Sequence, residues 1–452
     1  MDRSYRLSEL SRGALILCAG MFVASSLAPT ADASTLQILH SFCSQAGCAD
    51  GLDPSAGLIA DASGNLYGTA AEGGKHGDGV VFELIRKPHG KWAYKVLHSF
   101  CRAQGCGDGS TPLAPLIADA AGDFYGTTEL GGVGQGVVFE LVPGTKPGKW
   151  KLRVLHAFCR QALCPDGSSP QAALSYAGAA SGVPYDGVSP LYGTAPGGGA
   201  NDGGVAFQLS PVAGTMKWRQ SVIYDFCSQG GSACTDGSAP QGALLVDASS
   251  QLFGTTPGGG QNAGGTVFRL RPKARTAHWA QTVLHDFCGE AGCTDGKEPL
   301  AGVLMDAGGK LFGTTLVGGT NCPKETCGVV FKLSNRSANS PYAVLYDFCS
   351  QADCADGSGT QGGLLMDASG DLFGTASQGG GNDIDDGGVG GGAVYELTGS
   401  TLQTLYSFCA QPACADGEYP HSGIIADASG NLFGTTLRGG AAGSGTVFEL
   451  TP

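Results

Sequence analysis

The sequence has few charged residues, and basic residues are fewer than acidic ones. Lys and Arg number 26 against 39 Asp and Glu, which gives a formal net charge of −13 at pH 7. Proteins that bind nucleic acids or anionic membranes neutralise phosphates with clusters of Lys and Arg, and no such cluster occurs along this chain. We therefore expect neither kind of partner.

Long apolar runs are also absent, apart from one near the N-terminus. Three arginines within the first twelve residues precede an apolar run from Gly13 to Ala28, and Ala31-Asp32-Ala33 has a small-x-small pattern. This order is typical of a signal peptide, and the run is too short to span a bilayer comfortably. A retained anchor is the alternative. We predict a signal peptide at residues 1–33, a domain at 34–452 with no transmembrane segment, and a secreted or periplasmic location.

Cysteine, in contrast, is abundant and regularly spaced. Of the 17 cysteines, Cys18 lies in the predicted signal peptide and the other sixteen form close pairs. An even, paired set in an exported chain indicates disulfides. Zinc is the alternative, but no His accompanies each pair, and we expect no metal. The predicted disulfides are Cys43–Cys48, Cys101–Cys106, Cys159–Cys164, Cys227–Cys234, Cys288–Cys293, Cys322–Cys327, Cys349–Cys354 and Cys409–Cys414.

Seven of these pairs mark a repeat of roughly sixty residues, far longer than the repeats of helical solenoids and somewhat longer than the roughly forty to fifty residues of propeller repeats. Each unit has four short apolar runs, which we name strands A to D, and the residues from Trp92 to Phe100 alternate with the strand period of two. The domain begins with a D strand at Leu36–Phe42 and ends with a C strand at Gly445–Leu450. The first D strand can therefore complete the last unit, and the closed ring removes free sheet edges.

This order of strands, with a D strand first and a C strand last, predicts an all-β fold. The predicted fold is a seven-bladed β-propeller of four-stranded blades, and its ring is closed by the N-terminal strand joining the C-terminal blade. A β-helix or stacked sandwiches are the alternatives. We expect a monomer.

Four motifs recur along the chain, with substitutions in some units: Leu-Tyr/Phe-Gly-Thr, Gly-Gly, Gly-Thr/Val-Val-Phe-Glu-Leu and Val-Leu-His/Tyr-Ser/Asp-Phe-Cys. In this combination the chain resembles the GloVer (Gloeo/Verruco) tandem-repeat family from Leu36 to Pro452. The resemblance implies an exported bacterial protein whose relatives often carry a C-terminal surface-sorting segment. The sequence ends at Pro452 without one, so we do not expect surface attachment. The resemblance implies no activity and no catalytic residues.

An Asp-Gly pair follows each repeated cysteine pair. The Asp can cap local amides before a Gly at positive φ, which is ordinary turn chemistry. Alternatively, the seven carboxylates form a ring that binds Ca²⁺ or a cationic ligand. We expect no cofactor, with Ca²⁺ as the alternative. The aspartates are Asp50, Asp108, Asp166, Asp236, Asp295, Asp356 and Asp416.

The B-to-C loops of the fifth and sixth units are longer than the others. In a propeller they share a face with the D-to-A cysteine loops, and pockets are expected where such loops converge. The acidic sequence in the sixth lacks the full ligand pattern of a calcium loop. We name as candidate ligand-binding residues Asn321, Lys324, Glu325, Asn382, Asp383, Asp385 and Asp386. Extra residues near Ala177–Pro190 lie in an A-to-B turn on the opposite face, and we interpret them as decoration.

Two classes of function fit these features. The first is a binding or scaffold module whose repeated loops contact an extracellular glycan or protein at several points. The second is a propeller enzyme, a lyase or glycosidase acting on polysaccharide, which needs unique residues such as paired carboxylates. The sequence has no nucleophile elbow, His-rich metal cluster or nucleotide loop, so we favour the binding module and name no catalytic residue.

Overall fold

The computed structural model describes residues 34–102, 104–146, 148–273, 278–320, 322, 327–334, 341–382 and 390–452. These residues form seven antiparallel sheets, arranged as the blades of a propeller. The predicted fold class is confirmed. The predicted signal peptide lies outside the described residues. Within them, no helix has the length and apolar character needed to cross a membrane.

The strands follow the chain from blade one to blade seven. They are β1 Thr35–Ser41; β2 Ile59–Ala60, β3 Leu66–Ala70, β4 Val80–Arg86, β5 Trp92–Ser99; β6 Ile117–Ala118, β7 Phe124–Thr128, β8 Val137–Pro143, β9 Trp150–Ala157; β10 Leu191–Ala195, β11 Val205–Pro211, β12 Trp218–Asp225; β13 Leu245–Val246, β14 Leu252–Thr256, β15 Thr266–Arg271, β16 Ala280–Asp286; β17 Leu304–Met305, β18 Lys310–Thr314, β19 Val329–Ser334, β20 Tyr342–Asp347; β21 Leu365–Met366, β22 Leu372–Ala376, β23 Ala393–Thr398, β24 Thr401–Ser407; β25 Ile425–Ala426, β26 Leu432–Thr436 and β27 Thr446–Thr451.

Short 3₁₀ segments connect some of these strands, five of them inside cysteine loops. They are Ala46–Cys48, Pro88–Gly90, Ala179–Ser181, Gly231–Ala233, Ala291–Cys293, Ala352–Cys354 and Pro412–Cys414.

The N-terminal strand closes the ring. β1 pairs with β27, so the seventh sheet has the order β1-β27-β26-β25. The register runs from Thr35 opposite Thr451 to Ser41 opposite Thr446. Thr435 also donates a hydrogen bond to the carbonyl of Ala56 in blade one, at 3.0 Å. The predicted closure is confirmed, and it leaves neither terminal strand as an unpaired edge.

A glycine in each B strand leaves room for an aromatic ring of the neighbouring C strand to lie directly against its backbone. A Cβ built on Gly68 would lie 2.6 Å from Cζ of Phe82, the aromatic residue on the neighbouring C strand. Gly126 faces Phe139 in the same way at 2.7 Å. This close approach explains why a residue that usually weakens strands stands in the middle of one.

The blades pack on each other through apolar clusters that span two neighbours. One cluster joins Tyr67 and Phe100 of blade one to Phe124 and Phe139 of blade two. Between every two blades, a B-strand Thr also donates to a carbonyl in the segment that leads to the next innermost strand. The seven donors are Thr69, Thr127, Thr194, Thr255, Thr314, Thr375 and Thr435.

The third blade departs from the repeat. Its innermost strand is reduced to an isolated bridge between Ser175 and Tyr192, so its sheet has three strands. The extra residues before β10 place Tyr185 in the core, fully buried and 5.2 Å from the Tyr125 ring of blade two. Our interpretation of these residues as decoration is wrong, because an aromatic ring gives a turn enough apolar surface to pack between blades.

Candidate binding face

Each cysteine loop holds a backbone conformation that non-glycine residues seldom adopt. In blade one, Cys43 has φ 56° and Cys48 has φ 50°, and a disulfide joins them. All fourteen cysteines of the seven repeat loops have positive φ, a region uncommon outside glycine. Eight disulfides form in the predicted pairs, including Cys322–Cys327. The predicted disulfide framework is confirmed.

In each loop an aspartate, buried in five of the seven, accepts hydrogen bonds that fix the loop backbone. Asp50 is fully buried, and its carboxylate accepts hydrogen bonds from the backbone amides of Ser44 at 3.0 Å and Gln45 at 3.1 Å. The Ser44 hydroxyl donates a third at 2.7 Å. Burial raises the pKa of Asp50, but these hydrogen bonds outweigh burial and hold the pKa below its usual value. In each of the other six loops, too, the aspartate accepts from a loop amide.

The D strand supplies another partner to each aspartate. A β-bulge in every blade lies immediately before the His or Tyr of this strand, and bulges redirect the side chains that follow them. The distance from the His nitrogen or Tyr hydroxyl to the carboxylate ranges from 2.7 Å for Tyr224 to 3.3 Å for His285. The pairs are His40–Asp50, His98–Asp108, His156–Asp166, Tyr224–Asp236, His285–Asp295, Tyr346–Asp356 and Tyr406–Asp416.

The Gly-Gly stretches lie against these loops. The amide of Gly74 donates to the carbonyl of Cys48 at 2.8 Å, and a Cβ built on Gly73 would lie 2.7 Å from the same oxygen. The same amide-to-Cys hydrogen bond occurs in all seven blades. The D-to-A and B-to-C loops therefore form one continuous surface, which we call the cysteine-loop face.

The residues between the two cysteines of each loop are largely solvent-exposed. Five loops carry a Gln two positions after the first cysteine, and the side chains of all five are exposed. These tip glutamines are Gln45, Gln161, Gln229, Gln351 and Gln411. The backbone amide of Gln45 is fixed by Asp50, so its side chain projects from an immobilised loop.

The longer B-to-C loops fall mostly outside the described residues. This is so for Asn321, Lys324, Glu325, Asp383, Asp385 and Asp386, and their assignment stays a prediction. Asn382 is described. Its side-chain amide donates to the carbonyls of Ser407 and Phe408, each at 3.0 Å, so it attaches its loop to the outer strand of the same blade.

Two groups of described residues bring three potential metal ligands together, Asp78 with Cys101 and Cys106, and Glu418 with Cys409 and Cys414. All four cysteines are in disulfides, and metals bind the thiolate form. In the aspartate ring, a cation would have to displace donors that the carboxylates already accept from, such as the Ser44 and Gln45 amides. Calcium binding stays a prediction.

Inside the ring of cysteine loops lies a second ring, which we call the axial mouth. It consists of the segments that lead from each loop to the innermost strand: 53–57, 111–115, 169–173, 239–243, 298–302, 359–363 and 419–423. Small residues let these segments meet near the axis, since a Cβ on Gly57 would lie 3.3 Å from the carbonyl of Gly423.

The first residue of each mouth segment has positive φ, and its amide donates to the preceding blade. Asp53 donates to Ser444 and Tyr419 to Gly391, at 3.2 and 2.9 Å. The residue types at this position differ from blade to blade: Asp53, Thr111, Ser169, Ala239, Glu298, Gly359 and Tyr419. The third residue of each segment also varies: Ser55, Leu113, Gln171, Gln241, Leu300, Gln361 and His421. The backbone of the axial mouth is thus the same in all seven segments, and its side chains make it asymmetric.

The asymmetry is greatest where blade seven meets blade one. The Arg438 guanidinium lies 5.6 Å from the centre of the Tyr419 ring. Burial and the neighbouring carboxylate of Glu72 raise the pKa of Asp53, and Arg438 partly offsets them. Burial lowers the pKa of His421. In the sequence Tyr419 stands out as the main aromatic residue of the loops, but sequence reasoning did not bring the cluster together. Comparing the seven units at the two variable positions would also have shown that Tyr419 and His421 have no counterpart.

A shallow depression is also present on blade four, with a volume of about 400 Å³. It lies between the cysteine loop around Cys234 and the Gly-Gly loop at residues 259–263. Its lining is mainly Gly, Ala and Ser, with Gln261 and Asn262 as the longer polar side chains.

Comparison with known proteins places the sequence in a family but does not assign an activity. The family model described as Gloeobacter/Verrucomicrobia repeat matches residues 26–189 and 177–389. No curated protein matches the sequence. Among solved structures, an oxidoreductase described as a glucose dehydrogenase from Thermus thermophilus is 14% identical with a TM-score of 0.41, covering 92% of this chain and 99% of its own. Trypanosoma rangeli sialidase bound to sialic acid is 10% identical with a TM-score of 0.43, covering 95% and 60%.

Proposed function

This chain belongs to the Gloeobacter/Verrucomicrobia repeat family, and we propose that it is a secreted monomeric β-propeller that binds an extracellular glycan or protein through its cysteine-loop face. Eight disulfides support an oxidising compartment, since reducing conditions in the cytosol disfavour them. The predicted signal peptide agrees with export.

The observation that carries the proposal is that the loops are fixed while the residues at their tips are exposed to solvent. Two positive-φ cysteines, a disulfide and an aspartate that accepts from a loop amide hold each loop, as at Cys43, Cys48 and Asp50. A disulfide closing so short a loop contributes about 2 kcal/mol, which suits shaping one loop better than joining blades. Loops that need no ordering on binding lose less entropy, and binding is tighter for the same contacts.

The tip glutamines give this face its chemistry. A carboxamide both donates and accepts hydrogen bonds, which matches the hydroxyls of a glycan and the peptide groups of a protein. Five of them on one face allow several weak contacts to a long or repeated partner at once, so avidity can exceed the affinity of any single contact.

A polysaccharide-degrading enzyme is the second candidate. The observation in its favour is the non-repeated cluster of ionisable groups in the axial mouth, since catalysis needs unique residues in distinct roles. Asp53 and Glu72 supply carboxyls there, and burial raises the pKa of Asp53, as a general acid requires.

An experiment on the chain from residue 34 onward separates the two. The protein is applied to a glycan array and to immobilised extracellular proteins. It is also incubated with soluble polysaccharides, and the release of reducing ends and unsaturated sugars is assayed. We expect retained binding without product release. Release of products without retained binding would replace the binding module with the enzyme.

Variants locate the binding surface. Replacing the five tip glutamines with Ala should weaken binding at least tenfold without lowering the melting temperature, because their side chains are exposed. The matched control carries Ser-to-Ala changes in exposed A-to-B turns on the opposite face, at Ser63, Ser249, Ser369 and Ser429, and should bind like the wild type. Equal binding by all three proteins would contradict the assignment to this face.

A further inference from the structure

We propose that the axial mouth, where blade seven meets blade one, is a binding site for a single uncharged sugar ring, with Tyr419, His421, Arg438, Asp53 and Ser55 as its contacting residues. The inference rests on the proposed binding function and narrows it to one site and one ligand class. It concerns a different surface from the tip glutamines.

The first support is the position of these residues in the ring. Blade one contributes Asp53 and Ser55, and blade seven contributes the other three. The two blades meet closely here, because a Cβ on Gly445 would lie 2.5 Å from the ring of Pro54. A ligand at this junction therefore contacts two rigidly joined blades, and the site is pre-organised.

The second support is that two polar groups lack partners. The Ser55 hydroxyl is enclosed and has no hydrogen-bond partner. The His421 side chain is half-buried and is not among the hydrogen-bonded groups of the described residues. Since burial lowers its pKa, the imidazole is neutral at pH 7 and offers one donor and one acceptor. An enclosed polar group without a partner is unfavourable, and a ligand hydroxyl would satisfy the Ser55 hydroxyl. The His421 ring, which is only half-buried, could hydrogen-bond to a second ligand hydroxyl.

The third support is the aromatic residue. Tyr419 has φ 55°, a conformation that a bulky residue adopts at a cost on the order of 1 kcal/mol. The repeat does not require an aromatic ring there, since blade six has Gly359 at the same position with φ 69°. Arg438 holds the ring by a cation–π contact, so the ring is fixed as a flat surface beside the mouth.

The charges indicate which ligand class fits. The charge of Arg438 lowers the pKa of Asp53 and the charge of Glu72 raises it, so two carboxylates and one guanidinium lie near one another here. An anionic ligand would be repelled by these carboxylates, and a cationic ligand would compete with Arg438 for them. An uncharged ring avoids both problems. A sugar combines an apolar face for Tyr419 with hydroxyls that both donate and accept, which matches the polar groups present.

The repeat itself provides substitutions that should remove the site and keep the fold. Tyr419→Gly, His421→Gln and Arg438→Gln each install the residue found at the equivalent position in blade six, namely Gly359, Gln361 and Gln378. The triple variant should melt no lower than the wild type, because each replacement already occupies the same backbone position in this protein.

The test is saturation-transfer difference NMR with maltose, cellobiose, lactose and diacetylchitobiose as neutral probes, and with glucuronate and glucosamine as charged ones. We expect at least one neutral probe to bind the wild type and to bind the folded triple variant at least tenfold more weakly. The control variant with Ser-to-Ala changes at Ser63, Ser249, Ser369 and Ser429 should bind that probe as the wild type does.

Three results would overturn the inference: no neutral probe binds, a charged probe binds more tightly, or the triple variant binds equally well. Each of these leaves the proposed function standing if the array still shows binding that depends on the tip glutamines. Conversely, failure of the array with retained binding of a neutral probe at the mouth would refute the proposed role of the tips alone.

Discussion

Removing the carboxylate of Asp50 tests how the cysteine loops are held. Asp50→Ala deletes the acceptor for the amides of Ser44 and Gln45, for the Ser44 hydroxyl and for the imidazole of His40. The substitution leaves the disulfide Cys43–Cys48 in place. It therefore asks whether the loop conformation depends on the covalent bond or on the buried carboxylate beneath it.

The expected magnitude follows from the donors. A hydrogen bond to a charged group contributes about 1.5–3 kcal/mol, and two backbone amides lose their acceptor. Ser44 and Gln45 are exposed residues, so water replaces part of what is lost, and the lower end of the range applies. We expect the free energy of unfolding to fall by about 3 kcal/mol at pH 7.

Acid should reduce this difference. The folded pKa of Asp50 lies below its usual value of 3.8 because hydrogen bonds outweigh burial. A depressed carboxyl pKa stabilises the fold at pH values above 3.8, and the stabilisation disappears as the pH falls through the folded pKa. The variant and the wild type should therefore converge as the pH falls from 3.8 through the lower, folded pKa of Asp50.

Urea denaturation followed by tryptophan fluorescence at pH 7 and in a series down to pH 3 measures both quantities. Gln45→Ala is the control, since it alters only an exposed side chain of the same loop and should stay within about 0.5 kcal/mol of the wild type. A loss below about 1 kcal/mol at pH 7 would show that the disulfide alone holds the loop. A difference that persists in acid would show that the protonated side chain still supports the loop, and it would refute the expected pH dependence.

Three further predictions concern pH, closure and packing. Burial lowers the pKa of His40 despite its neighbouring carboxylate. The neutral imidazole therefore stabilises the fold fully above pH 6.5, and this contribution is lost as the pH falls through the folded pKa. Because Tyr does not become charged in this range, the melting temperature of His40→Tyr should fall less between pH 7 and 5 than that of the wild type. Thr435→Val removes the hydrogen bond to Ala56 that links the last blade to the first and should lower the free energy of unfolding in urea by about 1 kcal/mol. Gly434→Ala places a Cβ 2.6 Å from the Phe448 ring and should lower it by about 1–3 kcal/mol, whereas an unchanged denaturation midpoint would show that the ring can move aside.

The architecture could be predicted because it depends on periodicity and phase. Seven units, a D strand at the start and a C strand at the end leave one arrangement in which every strand is paired, and β1 occupies that place beside β27. Strand ends differ by about one residue, with Thr35–Ser41 observed where Leu36–Phe42 was expected. The disulfides could be predicted for a related reason, since cysteines so close together in the chain have few other partners.

The candidate site was harder to predict, because its residues come together through the fold rather than through a motif. The acidic stretch after Asn382 drew attention by composition. Asp53 and Arg438 are 385 residues apart in number (438 − 53) and become neighbours only because the ring closes. Tyr185 was missed for the opposite reason: a single aromatic residue in a Gly-rich insertion gives no periodic signal, yet the side chain is fully buried.

Repetition also constrains where a specific ligand can bind. A residue present in all seven units, such as the loop aspartate, is explained by its hydrogen bonds to amides within the same loop, and its recurrence needs no ligand. A site specific for one ligand must then lie at positions where the backbone conformation is the same in every unit and the side chains differ between units. The two variable positions of the axial mouth meet this condition, because the positive φ and the amide-to-blade hydrogen bond are kept from Asp53 to Tyr419 while the side chains change. A propeller can thus keep one rigid frame and place a distinct set of groups at a single junction, and in this protein that junction is the one at which the chain closes on itself.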